Sequence, residues 1–198
     1  MKLTSLTLAL MAATLAAPAL AQSAGDMTLG FGLGLVAPKS DNGTVAGGAT
    51  EIEDNVRPTL TFEYFIKDNI GLEVLAALPF KHDINVGGAK VGTTKHLPPT
   101  LSLNYHFPTG GAFKPFVGLG INYTTFFEDR SPLGDLKIKD SWGLAAHLGA
   151  DYAISEKGAL RMDIRYIDID SDVYLNGAKV GKVEVDPLVV GVSYIMKF

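Results

Sequence analysis

Apolar and polar side chains alternate one for one along eight stretches of the chain. Met27, Leu29, Phe31, Leu33 and Leu35 share one side of the first, with Thr28, Gly30, Gly32 and Gly34 opposite. Leu60 to Ile66, Ile70 to Leu78, Leu101 to Phe107, Val117 to Phe127, Trp142 to Tyr152 and Leu160 to Tyr166 repeat the pattern. The last stretch sets Val190, Val192, Tyr194, Met196 and Phe198 against Gly191, Ser193 and Lys197. Successive strand residues point to opposite faces, so a period of two predicts strands with one apolar side. A soluble sandwich would alternate as well, with its apolar sides packed together. Two features favour lipid outside and a narrow lumen inside: the polar sides are crowded with glycine, and the apolar sides tend to end in aromatics, such as Trp142 and Tyr152.

The connections give an independent reading. Between consecutive strands they run alternately long and short, at residues 38–57, 67–69, 83–97, 108–113, 128–139, 154–158 and 171–183. Short periplasmic turns and long extracellular loops are the mark of an outer-membrane barrel. The expected fold is therefore all-β, an eight-stranded antiparallel transmembrane β-barrel with both termini in the periplasm.

The amino terminus reads as an export signal. Lys2 supplies the charge, residues 6–17 an apolar core, and Pro18-Ala19-Leu20-Ala21 a cleavage site, so residues 1–21 are expected to be removed and residues 22–198 to form the barrel. Beyond the signal no run approaches a membrane helix in length, so the 47% hydrophobic content has to be explained by alternation. The net charge of −4 offers no basic footprint for nucleic acid, and the absence of cysteine removes disulfides and thiolate metal sites.

Taken together, several blocks resemble the OmpW family of small outer-membrane barrels. They are residues 69–82, Lys95-His96-Leu97-Pro98-Pro99-Thr100-Leu101, Tyr105-His106-Phe107, residues 114–124, Arg165-Tyr166-Ile167-Asp168-Ile169, Val185-Asp186-Pro187 and the terminal Phe198. The resemblance covers essentially the whole mature chain. It implies a narrow, largely hydrophobic passage for small apolar compounds, with sideways departure through the wall into the bilayer. It also implies outer-membrane lipid, lipopolysaccharide, small hydrophobic solutes and the barrel-assembly machinery as partners, with Tyr194 and Phe198 as the terminal assembly signal.

Among inward-phased residues, Phe65, Leu75, Pro79, Phe116, Phe126 and Val189 are apolar. They either line a hydrophobic gallery or fill a lumen just wide enough for side chains. Arg161, Asp163 and Arg165 share a row, with Glu63, Glu73 and Asp151 also inward. Selectivity charges are one reading; intermixed signs favour pairing across the lumen as a plug. Pro98 and Pro99 cannot donate to a ladder, so they mark either a lateral exit or a strand end at the rim, with Pro79 ending the neighbouring strand.

The remaining motifs are less promising. His82, Asp83 and His96 flank the second long loop at spacings that match no standard metal site, which favours solvated or hydrogen-bonded histidines. His106 and His147 stand alone on luminal faces and are expected to satisfy neighbours. The glycines at 30, 32 and 34 follow a period of two with no helix after them, so they read as a smooth inner face rather than a nucleotide loop. The pentapeptide Gly-Ala-Lys-Val-Gly at 88–92 and 177–181 reads as turn chemistry. The acidic run Asp168 to Asp172 lacks the glycine and terminal Glu of a calcium loop. No nucleophile and base are recognisable, and no catalytic residue, metal or cofactor is expected. The sequence thus points to passive passage of small hydrophobic molecules, with a non-transporting barrel whose loops contact lipopolysaccharide, host or phage as the alternative.

Overall fold

The computed structural model describes residues 22–198, so the expected signal at 1–21 lies outside the described residues. Fifteen strands follow in chain order: β1 (Met27–Ala37), β2 (Gly43–Val45), β3 (Gly48–Ile52), β4 (Asn55–Lys67), β5 (Ile70–Ala77), β6 (Phe80–Val86), β7 (Ala89–Leu97), β8 (Thr100–His106), β9 (Phe113–Arg130), β10 (Leu136–Ile138), β11 (Ser141–Ala153), β12 (Gly158–Ile167), β13 (Asp170–Leu175), β14 (Ala178–Glu184) and β15 (Leu188–Lys197).

Eight of them close a ring in which every neighbour is antiparallel: β1, β4, β5, β8, β9, β11, β12 and β15. Closure comes from Thr28↔Lys197 through Ala37↔Leu188, which joins the first strand to the last and leaves the ring without an edge. The outward residues are bare. Leu119, Trp142 and Leu144 expose 72%, 71% and 70% of their surface, an arrangement suited to acyl chains rather than to water. Tyr123 and Trp142 meet at 4.8 Å at one end of this band, and Tyr105 and Phe107 at 5.1 Å at the other, as interfacial girdles do.

The four long connections differ from simple loops. Residues within them form β2, β3, β6, β7, β10, β13 and β14, which join the outer part of β9 in an extracellular sheet ordered β10-β13-β14-β2-β3-β6-β7-β9. Its hairpins are set by two-residue turns with positive φ at both central positions: Ala46-Gly47, Gly87-Gly88 and Asn176-Gly177. That backbone geometry matches the twist of the flanking strands.

The repeated pentapeptide belongs to two such hairpins with the same plan. In each, a lysine just past the turn pairs with an aspartate seven residues earlier, Lys90 with Asp83 at 2.5 Å and Lys179 with Asp172 at 2.7 Å. Each also carries a register shift at the matching place, after Ile84 and after Val173. Val91 and Val180 then pack into one shared apolar cluster, so the repetition builds a common wall.

Candidate functional site

The interior divides into layers. Outermost, within the extracellular sheet, Val45, Ile84, Ile138, Val173 and Val183 form an apolar cluster around a cavity of about 70 Å³. Beneath it, Val36, Phe80, Ala145, Ile167, Ile169, Val185 and Val189 form a second. Phe126 packs against both and joins them into one column.

Below the column lies a buried ionic layer, built because inward positions of β4, β5, β11 and β12 bring acids and arginines to one height. The Arg161 guanidinium donates from Nε and Nη2 to both oxygens of Asp151, at 2.7 and 3.0 Å, from Nη1 to Glu73 at 2.7 Å and from Nη2 to Glu63 at 3.2 Å. Arg165 donates to Glu73 at 2.8 Å and to the Ser102 hydroxyl at 3.3 Å, and stands 3.9 Å from Asp163. Asn104 and His106 add bonds to Glu63 at 2.9 and 2.8 Å, and His147 lies 2.6 Å from the Asn104 carbonyl oxygen. A bidentate carboxylate pair, with further hydrogen bonds on Glu63 and Glu73, is the geometry that lets such charges stay buried.

The glycines opposite supply the room. A Cβ on Gly118 would stand 1.9 Å from His147 Nε2, and one on Gly71 would stand 2.2 Å from Glu63 Oε1.

The inward apolar residues separate between these layers. Phe65 and Phe116 are buried in the ionic layer, each with its ring centroid 5.1 Å from that of His106, and the Arg161 guanidinium sits 4.5 Å over the Phe116 ring. Val189 and Phe126 belong to the column. Leu75 lines a small cavity of about 20 Å³ with Glu73, Arg161 and Val189, and half-buried Pro79 adjoins Phe80 of the column. Tyr194 faces outward on the last strand, and Phe198, exposed just past its end, donates its N–H to the Met27 carbonyl at 3.2 Å.

A seam runs through the wall beside the column. The β5–β8 ladder ends at Leu75↔Thr100, and pairing resumes only at Phe80↔His96 between β6 and β7. Residues 76–78 bond instead toward β4, and the Pro99 carbonyl accepts from Tyr123 N–H and Asn122 Nδ2, both at 3.1 Å, on the β9 side. Pro79, Pro98 and Pro99 have no N–H to offer across the seam. Pro98 is buried and Pro99 exposed. Glu73 lies two residues below Leu75 on the same face, so the ionic layer begins directly under the seam.

His82 and His96 are not solvated. Both are buried, their rings stack at 4.9 Å and 7°, and His82 Nδ1 lies 2.7 Å from the Glu53 carbonyl oxygen. Burial among Phe80 and Phe126 disfavours the charged imidazole, lowering His82 and bringing His96 down to about 3. The residue types gave no hint of this. The signal was spacing: His82 falls between Phe80 and Ile84 in the inward phase of its strand.

Asp168, Asp170 and Asp186 converge near the outer rim, where Lys182 pairs with Asp170 at 2.5 Å and Lys39 with Asp186 at 2.9 Å. Asp186 was not legible as part of that cluster from the run 168–172. A concavity of about 720 Å³ that includes Leu103, Leu119 and Leu148 lies on the lipid-facing side of the wall.

Residues 23–198 match the model of the OmpW family. Outer membrane protein W of Vibrio cholerae is 38% identical over 217 aligned residues that span the whole of both chains. The dibenzothiophene metabolism operon protein PahQ of Pseudomonas aeruginosa is 30% identical over 162 residues, covering 78% of this chain and 77% of that one. The crystal structure of the outer membrane protein OprG from Pseudomonas aeruginosa superposes with a TM-score of 0.80 at 34% identity, over 91% of this chain and 99% of that one.

Proposed function

The chain belongs to the OmpW family of outer-membrane barrels, and on that premise we propose that it passes small hydrophobic molecules from the cell surface into the bilayer. A molecule of this kind enters the apolar column through the extracellular sheet, which carries it past the polar lipopolysaccharide. The ionic layer blocks the straight way down. The molecule then leaves sideways between residues 76–79 and 97–99, where the outward neighbours are Ala76, Leu78 and Pro99. The observation that carries this reading is the coincidence of three features at one height: the foot of the column, the top of the ionic layer and the unpaired seam. The name of the PahQ relative, taken from a dibenzothiophene metabolism operon, agrees with an apolar cargo.

Replacing Pro98 and Pro99 together with Thr restores two N–H donors at the seam. In vesicles with a lipopolysaccharide outer leaflet, uptake of a small hydrocarbon through the wild-type protein should fall several-fold in Pro98→Thr/Pro99→Thr while the variant still folds. Unchanged uptake would refute the lateral route. A second reading, a barrel that transports nothing and presents its extracellular sheet to lipopolysaccharide or another surface, is favoured by the separation of the 70 and 20 Å³ cavities. Wild-type uptake no greater than that of protein-free vesicles would decide for it.

A further inference from the structure

Three cations gather on the outward face of the extracellular sheet, just above the seam. Lys81 on β6 and Lys95 on β7 stand opposite one another across the ladder, and Arg130 on β9 stands opposite Thr93, two residues along from Lys95. With Thr94 and Glu128 they ring a concavity of about 160 Å³.

A bulge brings Arg130 to this face. Phe127 lies opposite Lys95, so unbroken alternation would turn Arg130, three positions on, toward the inner side. Instead β9 spends one extra residue between the pairs Lys95↔Phe127 and Thr93↔Arg130, with Glu128 at φ +52°. Glu128 and Arg130 thereby both point outward, while Asp129 turns in and accepts from the Thr94 hydroxyl at 2.6 Å and the Ile138 N–H at 2.9 Å.

The charges around the concavity do not balance. Like charges directly opposite across a ladder repel, and Lys81 forms no ion pair among the described residues. Glu128 is the one acid on the ring, bonded by Lys95 at 2.7 Å and 3.6 Å from Arg130. The hydrogen bond from Lys95, and then the charges of Lys95, Arg130 and Lys81, hold its carboxyl below the usual range, so all three cations already act on one anion. The other acids of this face are placed elsewhere: Asp83 is held by Lys90 at 2.5 Å, and Glu51, Glu53 and Asp54 lie beyond β6, on and just past β3. Three cations against one carboxylate leave the ring at +2.

Height selects the partner. Tyr123 of the aromatic girdle stands on β9 four residues below Phe127, the residue opposite Lys95. At about 3.3 Å per residue and a tilt of about 40°, the cations begin roughly 10 Å above the girdle. That is above the acyl chains, in the layer of sugars and phosphates that covers the outer leaflet. We propose that the ring is a binding site for a phosphate monoester of the outer-leaflet glycolipid, with Lys81 Nζ, Lys95 Nζ and the Arg130 guanidinium donating to its oxygens. The charge of such a group, about −1.5 to −2 at neutral pH, matches that of the ring. The site needs only the outer-membrane setting of the family and holds whether or not the lumen carries a solute.

The full barrel in phosphatidylcholine nanodiscs tests this, with the amide signals of Lys81, Thr93 and Lys95 followed by NMR as lipid A replaces part of the lipid. Lipid A with its phosphates should shift these signals at a several-fold lower mole fraction than lipid A stripped of them by a phosphatase. Lys81→Gln and Arg130→Gln should each narrow that difference and Glu128→Gln should widen it. Lys137→Gln removes an exposed cation of β10 outside the ring and should leave the difference unchanged. All four are outward or exposed side chains, and the remaining amide signals show that each variant keeps the fold. Equal response to the two lipids overturns the site, and so does a loss in Lys137→Gln as large as that in Lys81→Gln, which would mark a general attraction of the sheet for anions. Inorganic phosphate at physiological concentration, added to discs without lipid A, should leave the signals in place; saturation there assigns the ring to a soluble anion and overturns the lipid.

Discussion

Glu63 and Glu73 stand directly opposite one another on β4 and β5, and one guanidinium, that of Arg161, donates to both, at 3.2 and 2.7 Å. Like charges facing across a ladder are destabilising, and here they are buried as well. Arg161 offsets them and at the same time grips Asp151 of the next strand. The three acids come from β4, β5 and β11, so this one side chain ties opposite walls of the ring together. The ionic layer thus crosses the lumen from wall to wall at this height.

Removing the guanidinium leaves Asp151 and Glu63 without their main partner and Glu73 with Arg165 alone. Arg161→Leu should destabilise the folded barrel by about 3–5 kcal/mol, the usual cost of breaking a buried pair from one side. Urea unfolding in lipid vesicles measures it, and a loss below about 1 kcal/mol would show that the layer is well hydrated.

The glycines facing the layer should resist enlargement. Gly118→Ala places a methyl 1.9 Å from His147 Nε2 and 2.2 Å from Asn104 Oδ1. Overpacking of this kind costs about 1–3 kcal/mol, which the same unfolding assay detects. Gly110→Ala, in an exposed turn with open space around it, is the neutral control.

Leu75 stands at the level where the column, the seam and the ionic layer meet. Leu75→Trp should reduce hydrocarbon uptake across a lipopolysaccharide leaflet several-fold without loss of folding. Unaltered uptake in a folded variant would argue against any luminal route.

The stacked histidines give the extracellular sheet a dependence on pH. His96 titrates at about 3 in the folded protein against an ordinary value of 6.5, and His82 is lowered in the same direction. Between those values the unfolded sheet binds more protons than the folded one, so stability is complete above about pH 6.5 and is lost as pH falls toward 3. Arg57 opposes and Asp54 and Asp83 favour protonation of His82, while His82 itself opposes that of His96. Amide hydrogen exchange of β6 and β7 should therefore quicken from pH 7 to pH 4.5 once the intrinsic rate is divided out, and His96→Phe should lessen the change.

Much of the barrel was legible because its cause is local. Side-chain alternation depends only on neighbours along the strand, and every one of the eight predicted stretches lies in a wall strand. The long connections were harder. Asp83-Ile84-Asn85-Val86 does alternate, but short strands with water on one side and a small core on the other give only two or three apolar contrasts each. Their sheet became visible only once β2, β3, β6, β7, β10, β13 and β14 were paired.

By itself the chain determined which residues face lipid, which face inward and where the short turns fall, because period, turn residues and connection length are one-dimensional properties. It also placed acids and arginines in the inward phase. What tertiary structure alone decided is which of them meet. Arg161 reaches Glu73 and Glu63 across 88 and 98 residues of sequence, and His82 meets His96 instead of water. Ring closure and strand stagger fix the height of each inward side chain, and height in the lumen is a sum over all the registers that no single segment carries.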